Sequence, residues 1–373
     1  MRLVLFCHSL ISDWNHGNAH FLRGIAVELL TRGHDVRVYE PRDSWSVANM
    51  LRDGGEPAIG GFHRAYPMLA PIRYEDAATL DLDEALDEAD VVLVHEWNDP
   101  ALVARVGHHR AGAGRYVLFF HDTHHRSVSD PNAIRAFDLS AYDGVLAFGA
   151  VVRDRYVAWG WGRRAWTWHE AADVRMFHPL PGVERAHDLV WIGNWGDGER
   201  SVEIREYFVE PVRDLKLSAQ VFGVRYPEHA IRELREAGIA YGGWLPNYRA
   251  AEIFAQHRVT VHIPRRPYVE SLPGIPTIRV FEALACGIPL VSAYWRDTEQ
   301  LFTPGRDYLV ARSPGEMRSL LHEMIEDREL AQAVAAYGLE TIRKRHTCAH
   351  RVDELLQIVS GVRGTDVQRE LTV

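Results

Sequence analysis

Short apolar runs alternate with helical patterns along this chain. Residues 2–6 form the first run, residues 18–32 place apolar side chains at the spacing of one helical face, and residues 35–39 alternate as a second strand. Similar runs predict strands at 91–94, 116–120 and 144–148. Runs that are apolar throughout are typical of strands buried on both faces of a parallel sheet. The sequence therefore predicts an α/β fold with a Rossmann-like opening.

A second series of apolar runs follows a proline-containing segment. It predicts strands at 189–192, 218–222, 259–263 and 289–292, and helices at 201–212, 228–237, 248–256 and from 314 to about 360. Pro179 and Pro181 break regular structure, which puts a boundary near 175–188. A chain of 373 residues is long enough for about two domains. We therefore predict two doubly wound domains, residues 1–177 and 188–345, followed by a C-terminal helix and tail, residues 346–373.

Composition excludes several classes of protein. With 42 basic and 51 acidic residues the net charge is −9, which argues against non-specific nucleic-acid binding. The longest apolar runs are far shorter than the roughly 20 residues that cross a bilayer, so we expect at most peripheral membrane contact. Cys7, Cys286 and Cys348 are far apart, and the N-terminus has the pattern of a strand. These features predict a cytoplasmic protein with reduced thiols.

The segment 264–291 is the richest candidate for chemistry. A loop of Gly and Pro leads into a short predicted helix, residues 277–286, which ends at Gly287. Backbone N–H groups at the start of this helix, with Arg279 nearby, suit a diphosphate. Glu282 lies among apolar residues, so its carboxylate needs a partner. That partner is either a protein donor or the hydroxyls of a bound sugar or ribose.

Two further candidates follow predicted strands of the first half. His121 and Asp122 come directly after the run 116–120, where parallel sheets collect ligands. These residue types also bind metals, but no second spaced cluster completes a set, so we expect no metal. In the loop after the first strand, Gly17 and Asn18 precede a helix whose free N–H groups suit an anionic ligand such as the donor phosphate. A simple tight turn is the other interpretation.

The segment Arg279-Val-Phe-Glu282-Ala-Leu-Ala-Cys-Gly287-Ile-Pro289 resembles the GT-B glycosyltransferases. It is most similar to the family-four-like enzymes and to the branch related to spore-maturation glycosyltransferases. Weaker similarity is carried by residues 191–200, 242–246 and 345–351. The resemblance implies two Rossmann-like domains that face each other across a cleft. The C-terminal domain would hold a nucleotide-diphosphate sugar donor and the N-terminal domain an acceptor, with residues 346–373 crossing back to the N-terminal domain.

The resemblance also implies roles for individual residues. Glu282 would receive the ribose hydroxyls, and Arg279 with the backbone around residues 275–277 would meet the diphosphate. Arg200 would neutralise the leaving diphosphate, and Trp244 would stack on the nucleotide base. The donor-binding residues implied in this way are Gly193, Asn194, Arg200, Trp244, Glu270, Gly274, Ile275, Pro276, Thr277, Arg279 and Glu282.

One position departs from the family pattern. In family-four enzymes seven residues separate a first Glu from a second. Glu282 corresponds to the second, and the place of the first is occupied here by Gly274. The nearest upstream carboxylate is Glu270. Either Glu270 reaches in from a longer loop, or Gly274 contributes backbone alone and the sugar is held differently.

His121, Asp122 and His16 are the candidate catalytic residues. His121 and Asp122 resemble a His-Asp pair of many GT-B enzymes, and His16 is the alternative general base that an inverting reaction needs. We expect a metal-independent glycosyltransferase that retains configuration, acting on a small-molecule or glycan acceptor without a cofactor, although these residues leave inversion open. The alternatives are an epimerase or hydrolase of nucleotide sugars, and a binding protein that has lost catalysis. A dehydrogenase is disfavoured because no GxGxxG follows the first strand.

Overall fold

The computed structural model describes residues 1–112, 114–160, 164–196 and 198–370, with side chains as far as residue 364. Contacts divide the described chain into two compact units. The N-terminal unit comprises Met1–Glu170 and the chain from Cys348 onward, and the C-terminal unit comprises Ala171–Thr347. The first division falls before the boundary that the sequence places near 175–188, and the second falls just after residue 346.

Within the described residues, the N-terminal unit has a seven-stranded parallel sheet. Its strands are β1 (Arg2–Phe6), β2 (Asp35–Pro41), β3 (Ile72–Tyr74), β4 (Val91–His95), β5 (Val117–Asp122), β6 (Gly144–Ala147) and β7 (Ala165–Thr167). The spatial order is 3-2-1-4-5-6-7, the doubly wound arrangement of a Rossmann-like fold. Every residue of β4 and β5 is buried, because both strands lie inside the sheet with both faces covered.

Helices cover the two faces of this sheet. They are α1 (Ala19–Thr31), α2 (Trp45–Gly54), α3 (Pro57–Ala65), α4 (Leu82–Ala85), α5 (Pro100–Gly112), α6 (Arg126–Ser129), α7 (Pro131–Arg135) and α8 (Ala150–Trp159). The first of them, α1, buries Phe21, Ile25 and Leu29 on one face, and the chain turns after it at Gly33, whose φ of 80° favours glycine.

The C-terminal unit repeats the doubly wound plan with six described parallel strands. They are β8 (His187–Ile192), β9 (Ala219–Phe222), β10 (Ala240–Tyr241), β11 (His257–His262), β12 (Leu290–Ala293) and β13 (Leu309–Ala311), in the spatial order 10-9-8-11-12-13. The helices are α9 (Ser201–Ile204), α10 (Glu210–Leu215), α11 (Glu228–Glu236), α12 (Ala250–Ala255), α13 (Arg266–Glu270), α14 (Ile278–Ala285), α15 (Pro314–Glu326) and α16 (Arg328–Arg345). A π-helical turn at Arg205–Val209 joins α9 to α10, and a 3-10 turn at Asn247–Arg249 precedes α12.

The last helix, α17 (Cys348–Glu370), packs on α1 within the N-terminal unit. The indole N–H of Trp168 donates to the carbonyl of Arg351 at 2.9 Å. Arg32, just after α1, forms an ion pair with Asp353 at 2.5 Å. The chain is helical as far as Glu370, and residues 371–373 lie outside the described residues.

The observed fold confirms the α/β class and the two doubly wound sheets, and it corrects two details. The helix expected from 314 to about 360 is three helices, α15, α16 and α17. Asp327 separates the first two because its side chain caps α16 by accepting the N–H of Leu330 at 2.9 Å. The sequence also missed the short edge strands β3, β7, β10 and β13. None of the described helices has the length and apolar character needed to cross a membrane.

Candidate functional site

The start of α14 is fixed at the carboxyl edge of the C-terminal sheet by a buried histidine. His262, the last residue of β11, shares a hydrogen bond with the Thr277 hydroxyl at 3.1 Å and another with the Ser292 hydroxyl at 2.9 Å. Burial lowers the pKa of His262 to about 3, so its ring is neutral at neutral pH. Thr277 immediately precedes α14. Two strands therefore position the helix start at which an anion is expected to bind.

Glu282 has a protein partner. Its carboxylate is fully buried in α14 and accepts a hydrogen bond from Arg279, one helical turn earlier. The Arg279 guanidinium also lies 3.4 Å from the side-chain oxygen of Asn247. Arg279 is only partly buried, so the ion pair joins a buried carboxylate to a cation that reaches the surface. The contact of Glu282 with a ribose remains a prediction.

Part of the backbone expected at the diphosphate is already occupied. The N–H of Ile275 donates to the carbonyl of Leu272 at 3.3 Å, and Pro276 has no N–H. Both residues are buried. The backbone donors that can meet an anion are therefore those of Thr277, Ile278 and Arg279, since the N–H of Val280 donates to the Thr277 carbonyl at 3.1 Å.

Gly274 occupies a position that leaves little room for a side chain. Its φ is 96°, and its N–H donates to the carbonyl of Arg296 at 2.6 Å. A Cβ at this position would lie 2.8 Å from the Thr298 hydroxyl and 2.8 Å from a carboxylate oxygen of Glu299. Glu270 is exposed at the end of α13. The carboxylate that lies against Gly274 therefore belongs to Glu299, which the sequence analysis did not identify.

Arg200 is a buried cation held by backbone carbonyls. Its side chain donates to the carbonyl of Ile263 at 2.9 Å and to that of Asn194 at 2.7 Å. Among the described residues, no carboxylate lies within ion-pair distance of Arg200 and its Nε has no partner. Burial, together with the nearby Arg265 and Arg279, lowers the pKa of Arg200 to about 9, which leaves it charged at neutral pH.

Gly193 and Asn194 shape the loop that holds Arg200. A Cβ on Gly193 would lie 2.7 Å from the Trp191 indole, and the Gly193 carbonyl accepts the Tyr226 hydroxyl at 2.8 Å. The Asn194 side chain accepts the N–H of Val224 at 2.9 Å. Both residues thus have structural contacts that position Arg200. Trp244 is half-buried in the turn after β10, three positions before Asn247.

In the N-terminal unit, buried charges fix the loop after β1. Glu40, near the end of β2, accepts the N–H groups of Leu10 and Ile11. Arg23, fully buried in α1, donates to the carbonyls of the same two residues at 2.6 and 2.9 Å and pairs with Asp13 at 2.8 Å. This loop carries His8 and His16. Its conformation is therefore set by residues that the sequence analysis did not select.

The two residues that precede α1 have hydrogen-bond partners within the N-terminal unit. The Gly17 carbonyl accepts the N–H of His20 at 3.3 Å. The Asn18 side chain donates to the carbonyl of Thr123 at 3.3 Å and bonds the Thr123 hydroxyl, and it does not cap α1. Asn18 thus joins this loop to the end of β5. A donor phosphate at Gly17 and Asn18 remains a prediction.

His121 and Asp122 lie on β5 itself, although the sequence ended that strand at residue 120. Because strand side chains alternate, the two point to opposite faces of the sheet. His121 contacts Phe21 and Trp168, with ring centroids 5.9 and 4.8 Å away. Asp122 accepts the Tyr156 hydroxyl at 2.8 Å, on the face covered by α8. The two side chains therefore do not lie side by side, and a catalytic role for either remains a prediction.

Asp122 belongs to a buried cluster of charges. Its second oxygen accepts the N–H of His124 at 3.0 Å, and its carboxyl group lies close enough to Glu96 for each to affect the pKa of the other. Glu96 in turn pairs with Arg126 at 2.7 Å. Burial and the neighbouring Asp122 raise the pKa of Glu96 to about 8, and burial raises the pKa of Asp122. Burial thus disfavours charge on both carboxyl groups, and both oxygens of Asp122 accept protein hydrogen bonds.

Four buried histidines line the carboxyl edge of the same sheet. Ring centroids are 5.6 Å apart for His8 and His16, 5.9 Å for His16 and His95, and 5.3 Å for His95 and His121. Burial lowers the pKa of His8 to about 4 and of His121 to about 3, and it lowers the pKa of His16 and His95 well below the usual range. All four are neutral at neutral pH.

Comparison with known proteins agrees with this architecture. Residues 200–357 match the family model described as glycosyl transferase-like, and that segment contains Arg200, Arg279 and Glu282. The chain has the GT-B fold, and residues 200–357 are similar to the glycosyl transferase-like family. No curated protein sequence matches the chain.

Solved GT-B structures are similar over nearly the whole chain. Sucrose-phosphate synthase from Thermosynechococcus elongatus is 12% identical with a TM-score of 0.64, covering 98% of this chain and 100% of that one. HepE from Anabaena, in complex with UDP and glucose, is 13% identical with a TM-score of 0.66, covering 97% and 100%. An alpha-glucosyltransferase in complex with UDP and a DNA 13-mer is 12% identical with a TM-score of 0.69, covering 96% and 99%. These likenesses establish the fold.

The candidate site contains residues that the sequence did not reveal, His262, Ser292 and Asn247. His262 and Ser292 carry a weak signal, because each is polar at the end of an apolar run. Asn247 carries none, since it meets Arg279 only in the folded chain. No group of three or more His, Cys, Asp or Glu in the part of the chain that the structure describes is arranged to hold a metal ion.

Proposed function

We propose that this chain transfers a sugar from a nucleoside diphosphate sugar to an acceptor hydroxyl. Arg200 carries the proposal. It is 8% exposed, it donates to carbonyl oxygens, and no carboxylate of the described residues lies within ion-pair distance of its guanidinium. Burying a cation without a counter-ion costs several kcal/mol, by an order-of-magnitude estimate. An anionic ligand at this place offsets that cost.

Breaking the bond between the sugar and the diphosphate leaves negative charge on the departing phosphate oxygens. Arg200 and Arg279 supply positive charge to those oxygens in this proposal, and the first N–H groups of α14, from Thr277 onward, add hydrogen bonds. Glu282 receives the ribose hydroxyls, and Trp244 stacks on the base. Structures of similar fold contain UDP and UDP-glucose, so uridine donors are the first to test.

The proposed reaction retains configuration and needs no metal. An inverting reaction requires a base for the acceptor proton. Asp122 is a poor candidate because both of its oxygens accept protein hydrogen bonds. His16 is a poor proton acceptor because burial lowers its pKa well below the usual range. Retention, in which the leaving diphosphate assists, is therefore favoured.

The acceptor in this proposal is a small molecule or a glycan rather than a nucleic acid. The net charge of −9 disfavours binding to a polyphosphate chain. The donor is consumed as a co-substrate, so the proposed enzyme uses no bound cofactor. We propose that the enzyme is cytoplasmic, because nucleotide sugars are made in the cytoplasm.

The test is donor turnover. The protein is incubated in EDTA with UDP-glucose, GDP-mannose or dTDP-glucose and a pool of methyl glycosides, and phosphorus NMR follows the released diphosphate. We expect one donor to be consumed and one glycoside to be extended, with the anomeric configuration of the donor kept in the product. Arg200→Gln should abolish consumption. Arg205→Gln is the matched control, because Arg205 pairs with Glu233 on the surface of the same unit.

The other outcomes separate the alternatives. Donor consumption that yields free or epimerised sugar and no extended glycoside would identify a hydrolase or an epimerase. Binding of a donor without turnover, in folded protein, would identify a binding protein. Turnover that stops in EDTA would contradict metal independence, and an inverted product would contradict retention.

A further inference from the structure

The loop after β1 presents ring nitrogens that lack protein partners. Within the described residues, His8 Nε2 and His16 Nε2 have no hydrogen bond, and the two side chains are 5% and 4% exposed. A buried polar atom left without a hydrogen bond costs about 1–3 kcal/mol. Two such atoms on neighbouring rings, at the edge where parallel sheets bind ligands, indicate that a ligand supplies the missing bonds.

The hydrogen-bonding roles of His16 define what that ligand offers. The His16 ring lies beside the Ser9 backbone, which favours an N–H on the ring nitrogen nearest to it. Since Nε2 has no protein partner, that nitrogen is Nδ1, and Nε2 keeps a lone pair. A lone pair accepts from a donor such as a hydroxyl. It would repel a phosphate or carboxylate oxygen.

The surroundings are electrically neutral. His8 and His16 are both uncharged at neutral pH. The Arg23 guanidinium, whose charge lowers the pKa of His16, is paired with Asp13 at 2.8 Å, and both side chains are buried. The site therefore has no net charge with which to attract an anion. It fits a neutral ligand with several hydroxyl groups.

An exposed indole lies beside these rings. Trp45 begins α2 and stacks on His8, with centroids 4.5 Å apart and an interplanar angle of 30°. Trp14 contacts it edge-on at 6.3 Å. Trp45 is still 40% exposed, which is unusual for a large apolar side chain held by two rings. A fixed, exposed indole offers a flat surface on which the C–H face of a sugar ring can lie.

We propose that His8, His16 and Trp45 form a binding site for a neutral sugar ring in the N-terminal unit. One ring face lies on Trp45, and a sugar hydroxyl donates to His16 Nε2. The inference rests on the proposed function, because this ring is the acceptor whose hydroxyl is glycosylated. It narrows the acceptor to an uncharged saccharide or a glycan that ends in one.

Saturation-transfer NMR on the full chain tests this site without turnover. The probes are methyl α-D-glucopyranoside, methyl β-D-galactopyranoside and methyl α-D-mannopyranoside, with inorganic phosphate as a competitor. We expect ring C–H signals from at least one glycoside, and we expect phosphate not to reduce them. Trp45→Ala should weaken binding roughly tenfold, the size of a lost aromatic contact. His16→Leu should weaken it by a similar factor.

Trp159→Ala is the matched control. Trp159 is 37% exposed at the end of α8 in the same unit, and its ring centroid lies 5.4 Å from the Arg155 guanidinium. This variant should bind as the unaltered protein does. Binding of no glycoside, equal binding by Trp45→Ala, or displacement by phosphate would each overturn the site. A melting-temperature shift with UDP, measured on the same samples, reports the donor unit separately, so loss of the sugar site alone leaves the proposed function standing.

Discussion

His121 and Asp122 are consecutive residues of β5 that face opposite sides of the N-terminal sheet. His121 contacts Phe21 of α1, and Asp122 accepts the hydroxyl of Tyr156 in α8 at 2.8 Å. On one face, β5 thus contributes the neutral ring of His121, which lies beside His95. On the other face it contributes the carboxyl group of Asp122, which lies beside Glu96.

Asp122→Ala tests the structural role of this carboxyl group. The change removes the acceptor for Tyr156 and for the N–H of His124, so we expect the free energy of unfolding to fall by about 1–3 kcal/mol in urea titrations. Asp154→Ala is the control, because Asp154 forms an exposed pair with Arg153. An Asp122→Asn protein with unaltered stability and no donor turnover would instead point to catalysis by Asp122.

Acidification should destabilise the protein through its buried histidines. The folded pKa of His121 is about 3, below the ordinary value of 6.5, so between these values the unfolded chain binds a proton that the folded chain does not. Stability from this residue is therefore present above pH 6.5 and is lost as the pH falls toward 3. The loss is about 2 kcal/mol between pH 7 and pH 5.

His121→Gln isolates that contribution, since glutamine does not titrate. Urea unfolding at pH 7 and pH 5 should show the variant gaining stability relative to the unaltered protein by about 2 kcal/mol at the lower pH. A difference between the two proteins that is the same at both pH values would mean that His121 is already charged in the folded state.

Removing the Glu282 carboxylate should weaken nucleotide binding. In Glu282→Gln the ribose hydroxyls lose a charged acceptor and Arg279 loses its ion-pair partner, so we expect the Kd for UDP to rise roughly tenfold in calorimetry. Glu252→Gln is a close control, because Glu252 forms a pair of the same helical spacing with Arg249 on the surface. Equal UDP affinity in folded Glu282→Gln would assign Glu282 a purely structural role.

A side chain at residue 274 should harm the protein rather than restore a lost contact. Gly274→Ala combines a φ of 96° with displacement of Glu299, and we expect a loss of about 2–3 kcal/mol in unfolding free energy. Gly238→Ala separates the two effects, since Gly238 has a φ of 74° and open space around a Cβ. It should lose only about 1 kcal/mol. Equal losses would mean that the crowding by Glu299 contributes nothing.

The fold could be predicted because its interior strands are apolar on both faces. The runs at 91–94 and 116–120 correspond to β4 and β5 in the middle of the N-terminal sheet. The edge strands β3 and β13, of three residues each, are too short for a pattern to develop. Edge strands are also covered on fewer sides, which weakens the apolar signal further.

The candidate site was predictable where its residues share one helix. Arg279 and Glu282 are one turn apart on α14, so the sequence spacing alone brings them together. Asn247, His262 and Glu299 reach the same region from separate elements, and a single sequence contains no sign of that approach. For His121 and Asp122, ending the strand two residues early hid the alternation that separates them.

The central claim is that the charge of Arg200 binds the diphosphate of a nucleotide. Calorimetric titration of UDP in EDTA tests it, with the unaltered protein, Arg200→Gln, Arg200→Lys and Arg205→Gln. We predict metal-independent binding that falls roughly 10- to 100-fold in Arg200→Gln, less in Arg200→Lys, and not at all in Arg205→Gln. Equal affinity in a folded Arg200→Gln protein, or no binding by the unaltered protein of UDP, GDP or dTDP, would contradict it.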